Sequence, residues 1–192
     1  MNVNVVLYDN FTALDVFGPA EVLSRVEEYK IHYYSLLGGI VRNEHSIRID
    51  TEPMGSVEPD GILLIPGGFG SRIVIKDEEF ISVLKKTAVF SRYVLCVCTG
   101  SALLASTGLL DGKQATSNKT AFEWAKSCGT QVQWIREARW VADDNIYTSA
   151  GVSAGMDMAL GFVKDMFGDE RARGISKRME YHWNEDADHD SF

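Results

Sequence analysis

Cys98 has the setting of a reactive residue in this 192-residue sequence. It closes the apolar run Tyr93-Val94-Leu95-Cys96-Val97 and precedes Thr99-Gly100-Ser101-Ala102. A strand that turns at a glycine into a small-residue helix lifts the residue at the turn above its sheet. A thiol placed there faces a helix N-terminus, whose positive end favours thiolate and can pull the pKa below its free value of about 8.5. The Thr99 N–H is then placed to donate to an anion forming beside the sulfur. Cys96 and Cys128 have no such context and read as small buried thiols. Cys96-x-Cys98 is a close pair, but no second pair or histidine cluster has ligand spacing, so no metal is expected.

Three further segments could be brought to the same place. Ile62-Leu63-Leu64-Ile65 runs into Pro66-Gly67-Gly68-Phe69-Gly70, a turn that leaves backbone N–H groups free and allows close approach. Asp15 lies in Phe11-Thr12-Ala13-Leu14-Asp15-Val16-Phe17-Gly18-Pro19-Ala20-Glu21-Val22. Proline belongs in a helix's first turn, so the helix is expected to begin between Asp15 and Pro19, with Asp15 at the end of the first strand. Helix capping is the structural alternative for Asp15, and dipole stabilisation is the one for Glu21. Asn145–Ser149 followed by Ala150-Gly151-Val152-Ser153-Ala154-Gly155 is another strand, turn and helix start. Its Gly-x-Ser-x-Gly pattern fits a serine elbow. None of His32, His45, His182 and His189 falls in a strand-end loop of that edge, so Ser153 is read first as a cap.

The elements needed to hold these loops alternate along the chain. Strands are expected at Val3–Tyr8, Ile31–Leu37, Ile62–Ile65, Tyr93–Val97, Gln131–Ile135 and Ile146–Ser149, several apolar on both faces. Arg42–Glu52 alternates polar and apolar residues and suits an edge hairpin. Helices are expected at Pro19–Glu27, Asp77–Phe90, Ser101–Leu110, Thr120–Lys126, Ser153–Phe167 and about Asp169–Arg178, before an acidic stretch, Glu185–Phe192, expected to be loose or partner-bound. This alternation implies an α/β fold: a doubly wound, flavodoxin-like, mostly parallel sheet sandwiched by helices. No repeat, linker or low-complexity stretch divides residues 1–192, which read as one domain.

Composition narrows the function further. Hydrophobic residues make up 45% and charged residues 24%, which excludes disorder and long coiled coil. Nineteen Lys and Arg against 27 Asp and Glu give a net charge of −8. Nucleic acid and anionic membranes are therefore not expected as main partners. No apolar run is long enough to span a bilayer. An odd count of three cysteines and the strand-like opening residues suggest a reduced, cytoplasmic setting.

The Asp15 segment, the Pro66-Gly67-Gly68 turn, the Cys98 elbow and the Gly151–Gly155 segment, in this order, resemble the ThiJ/PfpI superfamily, whose fold is like class I glutamine amidotransferases. The likeness runs from Asn2 to about Phe167. Asp15-x-x-Gly18-Pro19-x-Glu21-Val22, Cys98-Thr99-Gly100, Leu109-Leu110-x-Gly112-Lys113-x-Ala115-Thr116 and Gly151-Val152-Ser153-Ala154-Gly155 look most like isonitrile hydratases and the ligand domains of AraC-type regulators. The resemblance implies a nucleophile at Cys98, an acid at Asp15, a catalytic threonine at Thr99, and anion-stabilising N–H groups at Gly68 and Thr99. Phe69, Asn118 and Ser153 are then the expected substrate contacts, with Trp124, Trp140 and Tyr181 as further pocket walls.

Asn118 stands where many members carry a histidine, which weakens protease-like chemistry and leaves hydratase chemistry intact. No helix-turn-helix region is seen, so the regulator reading lacks its DNA-binding half. The expected activity is addition of water to a small isonitrile, without a cofactor, by a homodimer. Its surface is guessed near Tyr33, Tyr34 and the Arg42–Glu52 hairpin. The alternatives are an amidase, protease or glyoxalase-like enzyme, or a cysteine redox or ligand sensor.

Overall fold

A computed structural model describes all of residues 1–192. The chain order is β1 (Asn2–Val6), α1 (Ala13–Ser24), β2 (Lys30–Ser35), β3 (Gly39–Arg42), β4 (Arg48–Pro53), β5 (Ile62–Ile65), α2 (Ser71–Val74), α3 (Glu78–Phe90) and β6 (Tyr93–Val97). It continues through α4 (Gly100–Ser106), β7 (Gln114–Ala115), α5 (Phe122–Cys128), β8 (Gln133–Trp134), β9 (Trp140–Asp143), β10 (Ile146–Ser149), α6 (Ala154–Phe167) and α7 (Asp169–Arg178). Eight strands form one sheet in the order β3-β4-β2-β1-β5-β6-β10-β9. The six strands from β4 to β10 pair in parallel, and the edge strands β3 and β9 run antiparallel to β4 and β10.

The central strands read as apolar runs because both their faces are covered. Ile62, Leu63, Leu64 and Ile65 are each 0% exposed, and Val3, Val5, Val94 and Leu95 are buried beside them. Fully burying a side chain of this size is worth about 1.5–3 kcal/mol. The α3 helix is amphipathic, with Phe80, Leu84, Thr87 and Ala88 facing inward, and Asp77 caps it by accepting from the N–H groups of Glu79 and Phe80. β1 pairs with both β2 and β5, so strand order reverses there and opens a crevice at the carboxyl ends of the strands.

Several expected boundaries shift. The α1 helix begins at Ala13, placing Asp15 in its first turn instead of on the first strand, and Pro19 lies inside the helix. Gly18 allows this, because it lacks the Cβ that would clash with the ring of the proline after it. The Gln131–Ile135 strand shrinks to β8, which pairs with β7 in a separate two-stranded sheet. The expected Arg42–Glu52 hairpin is β3 with β4. Tyr34 is buried within the chain and offers no surface for a partner. The Glu185–Phe192 stretch is neither loose nor unattached: the Ala187 carbonyl accepts from the Arg139 and Trp140 N–H groups, and the Asp190 N–H donates to the Glu137 carbonyl. The buried Arg139 guanidinium draws Asp190 inward. No helix is long and apolar enough to cross a membrane.

Candidate active site

Asp15 after β1, Gly67 after β5 and Cys98 after β6 meet at the carboxyl edge of the sheet, beside the strand-order reversal. Cys98 has φ 56°, the left-handed region that a side chain enters only when its surroundings hold it there. The clamps are specific. Its N–H donates to the carbonyls of Ser149 and Ala150, at 3.2 and 3.1 Å. Its carbonyl accepts from the hydroxyls of Ser101 and Ser117, each at 3.0 Å. Gly100 then lets α4 begin hard against β5, since a Cβ there would stand 2.2 Å from the Ile65 carbonyl oxygen.

The Asp15 carboxyl is fully buried beside this elbow. Its Oδ2 accepts from the Gly67 N–H at 2.9 Å. Its Oδ1 has no nitrogen or oxygen partner, and the carboxyl's other interaction is with the Cys98 thiol. Burial pushes the Asp15 pKa up to about 7, against the opposing pull of Gly67 and Cys98. Loss of water on burial is the largest cause of the rise.

Cys98 corrects the expectation of a standing thiolate. The residue is only 6% exposed, and burial together with the Asp15 carboxylate pushes its thiol pKa upward. The Thr99 N–H and hydroxyl act in the opposite direction without overcoming them. The α4 helix, seven residues long, does not reverse that balance. One proton is thus shared between two acids that cannot both ionise cheaply.

Thr99 is a junction more than a bystander. Its Oγ1 accepts from the Gly68 N–H at 3.0 Å and lies 3.1 Å from the Ser71 hydroxyl. The Gly68 N–H is therefore already paired, so of the two expected anion-stabilising N–H groups only Thr99's faces the sulfur. Tyr8, outside the sequence-derived set, donates to the Pro66 carbonyl at 2.6 Å and fixes the Pro66-Gly67-Gly68 turn from below. Ser71 and Ser117 were also missed, and only their position just beyond the singled-out motifs could have suggested them; Gly67 lay within the Pro66-Gly67-Gly68 turn but without its role as donor to Asp15.

A cavity of about 320 Å³ has Leu14, Asn118, Gly151 and Ser153 in its wall; it reaches the neighbours of Asp15 and of the Ala150 carbonyl that clamps Cys98, but Asp15 and Cys98 themselves do not line it. Asn118 and Ser153 thus stand together as expected contacts, while Asn118 Oδ1 also caps the next turn through Thr120 and Ala121. Phe69 is 64% exposed and lies outside this wall. Trp124 stacks under the Arg72 guanidinium, Trp140 is core, and the Tyr181 hydroxyl donates to Asp157. None of these three aromatics lines the cavity, because each is committed to packing, to a cation–π contact or to a hydrogen bond. No group of three or more His, Cys, Asp or Glu side chains is gathered in a way that could hold a metal.

A strand-to-helix elbow carrying a cysteine, faced by a carboxyl at the switch point of a doubly wound sheet, matches the DJ-1/PfpI family over residues 1–165, and the chain belongs to that family. It is 28% identical over 184 residues to the isonitrile hydratase of Pseudomonas putida, covering 94% of this chain and 78% of that protein. It is 30% identical over 192 residues to the HTH-type transcriptional regulator GbdR of Pseudomonas aeruginosa, covering 94% of this chain but half of the regulator's length. The crystal structure of a ThiJ/PfpI family protein from Pseudomonas syringae superposes with a TM-score of 0.87 at 27% identity, covering 95% of this chain and 76% of that one.

Proposed function

We propose that this protein is a cysteine-dependent enzyme that adds water to a small isonitrile and releases an N-substituted formamide. The carrying observation is the Cys98–Asp15 pair, a buried thiol beside a carboxyl whose pKa is about 7. Near neutral pH that carboxyl exists in both forms, which suits a group that must take a proton and return it. The 28% identity to an isonitrile hydratase supports the substrate class.

The atoms balance with these two groups and water. Asp15 takes the Cys98 proton as the sulfur bonds to the isonitrile carbon, then returns it to that carbon, giving a thioimidate. Asp15 next accepts a proton from water as the hydroxyl bonds to the same carbon, and passes it to nitrogen. Collapse of that centre breaks the C–S bond, forms the formamide carbonyl and sends the last proton back to sulfur. The Thr99 N–H and hydroxyl stabilise the sulfur whenever it is anionic. No cofactor enters the cycle. We take the working form to be a cytoplasmic homodimer, which light scattering would show as about twice 21.3 kDa.

A panel of isonitriles, methylglyoxal and a fluorogenic amide tests this reading. Wild type should turn over at least one isonitrile, and Cys98→Ala should not. Equal rates in both proteins would end it. The likeness to GbdR favours a second reading, a redox or ligand sensor without turnover. There two equivalents of peroxide would oxidise the thiol to a sulfinate, seen as a selective gain of about 32 Da on Cys98.

A further inference from the structure

The same cavity is lined by Lys119, Arg139 and Asp190, and Arg139 also pairs with Asp157, so four buried charges meet at this end. Arg139 and Lys119 have side chains 9% exposed, while Asp157 is 0% and Asp190 2% exposed. The two carboxylates are held very differently. Asp157 Oδ2 accepts from Arg139 Nε at 2.8 Å and lies 2.6 Å from Nη2, and its Oδ1 accepts from the Tyr181 hydroxyl and the Asn184 N–H. Four contacts on its carboxylate, and its place on α6, make Asp157 a permanent counter-ion. Asp190 arrives from outside every helix and strand, accepts from Arg139 Nη1 at 2.9 Å, and has Lys119 Nζ at 3.8 Å.

Two cations and two anions sum to zero with Asp190 seated. Without it the cavity holds one net positive charge, which is costly to bury unpaired. Exchange of one carboxylate for another avoids that cost, and the cavity of about 320 Å³ has space for a small molecule. The Ser153 hydroxyl, 3.5 Å from Arg139 Nη2, and Asn118 share the cavity with this charged end.

We infer that Arg139 and Lys119 form a binding site for the carboxylate of a small molecule, occupied in cis by the Asp190 side chain until that molecule displaces it. The ligand's remaining atoms then extend toward Leu14 and Asn118. Molecules held in this cavity would thus carry an acid group. This inference concerns binding and stands whether or not Cys98 reacts with isonitriles.

Benzoate is the probe, with benzylammonium as the opposite charge and chloride to match ionic strength. Asp190→Asn should bind benzoate at least tenfold more tightly than wild type by calorimetry, and Lys119→Met in that background should return most of the gain. In wild type, saturating benzoate should speed hydrogen exchange at the Asp190 amide, which the seated segment protects through Glu137. Benzylammonium should do neither. Benzoate affinity unchanged in Asp190→Asn overturns the inference; should that variant not fold, unchanged exchange at Asp190 in wild type overturns it equally. Cys98→Ala should behave as wild type in every arm, which separates this outcome from failure of the proposed reaction.

Discussion

Replacing Asp15 by Asn removes a titration that the folded state makes unfavourable. In the unfolded chain this carboxyl ionises near 3.8, whereas burial moves it to about 7 in the fold. Between those values the native protein holds a proton that the unfolded chain has lost, so wild-type stability must fall as pH rises. The interval is about three pH units, and at about 1.4 kcal/mol per unit the full loss is about 4 kcal/mol. It is complete just above pH 7 and absent below about pH 4. Asn keeps an acceptor for the Gly67 N–H and carries no charge. Urea denaturation of both proteins from about pH 4 to about pH 8 gives the difference directly, free of other carboxyls that titrate in both. Asp15→Asn should gain on wild type by about 4 kcal/mol across that window while losing isonitrile turnover. A constant difference across the window would refute the claim that dehydration of this carboxyl dominates its proton affinity.

Smaller tests address the elbow itself. Cys98→Gly should be more stable than Cys98→Ala by about 0.5–1 kcal/mol, because relief at φ 56° outweighs glycine's added unfolded-state freedom; equal denaturation midpoints would remove the backbone strain. Gly100→Ala should cost about 3 kcal/mol or more, since its Cβ would stand 2.2 Å from a backbone oxygen, whereas Gly174→Ala in α7 meets nothing within 4 Å and should stabilise slightly. Thr99→Val should cost about 1–3 kcal/mol by orphaning the Gly68 N–H. It should also move the pH dependence of Cys98 alkylation upward, because a donor to the sulfur is lost.

Much of the scaffold was legible because its central strands have no wet face. Ile62–Ile65, Tyr93–Val97 and Ile146–Ser149 match the structure residue for residue, the first two built almost wholly of apolar side chains, and all three bounded by a glycine, a proline or a polar turn. The β9 strand was overlooked although Asp143-Asp144-Asn145 is a turn signal: Asp144 takes φ 54° and folds β9 back onto β10. Asp15 was matched with the right neighbours on the wrong element, because Pro19 was taken to mark the first turn of a helix that in fact begins six residues earlier, at Ala13. The charged end of the cavity left no local signature. Arg139, Asp157 and Asp190 are far apart in sequence, and each alone reads as a solvated charge until the fold brings them together.

The left-handed backbone at Cys98 also restricts which residues could ever succeed it. A β-branched side chain is strongly disfavoured at that φ, so threonine is closed as a replacement nucleophile while serine, aspartate and glutamate stay open. Any descendant of this fold that changes its chemistry must choose from unbranched side chains, and the geometry of one peptide unit thereby narrows the reactions the elbow can evolve toward.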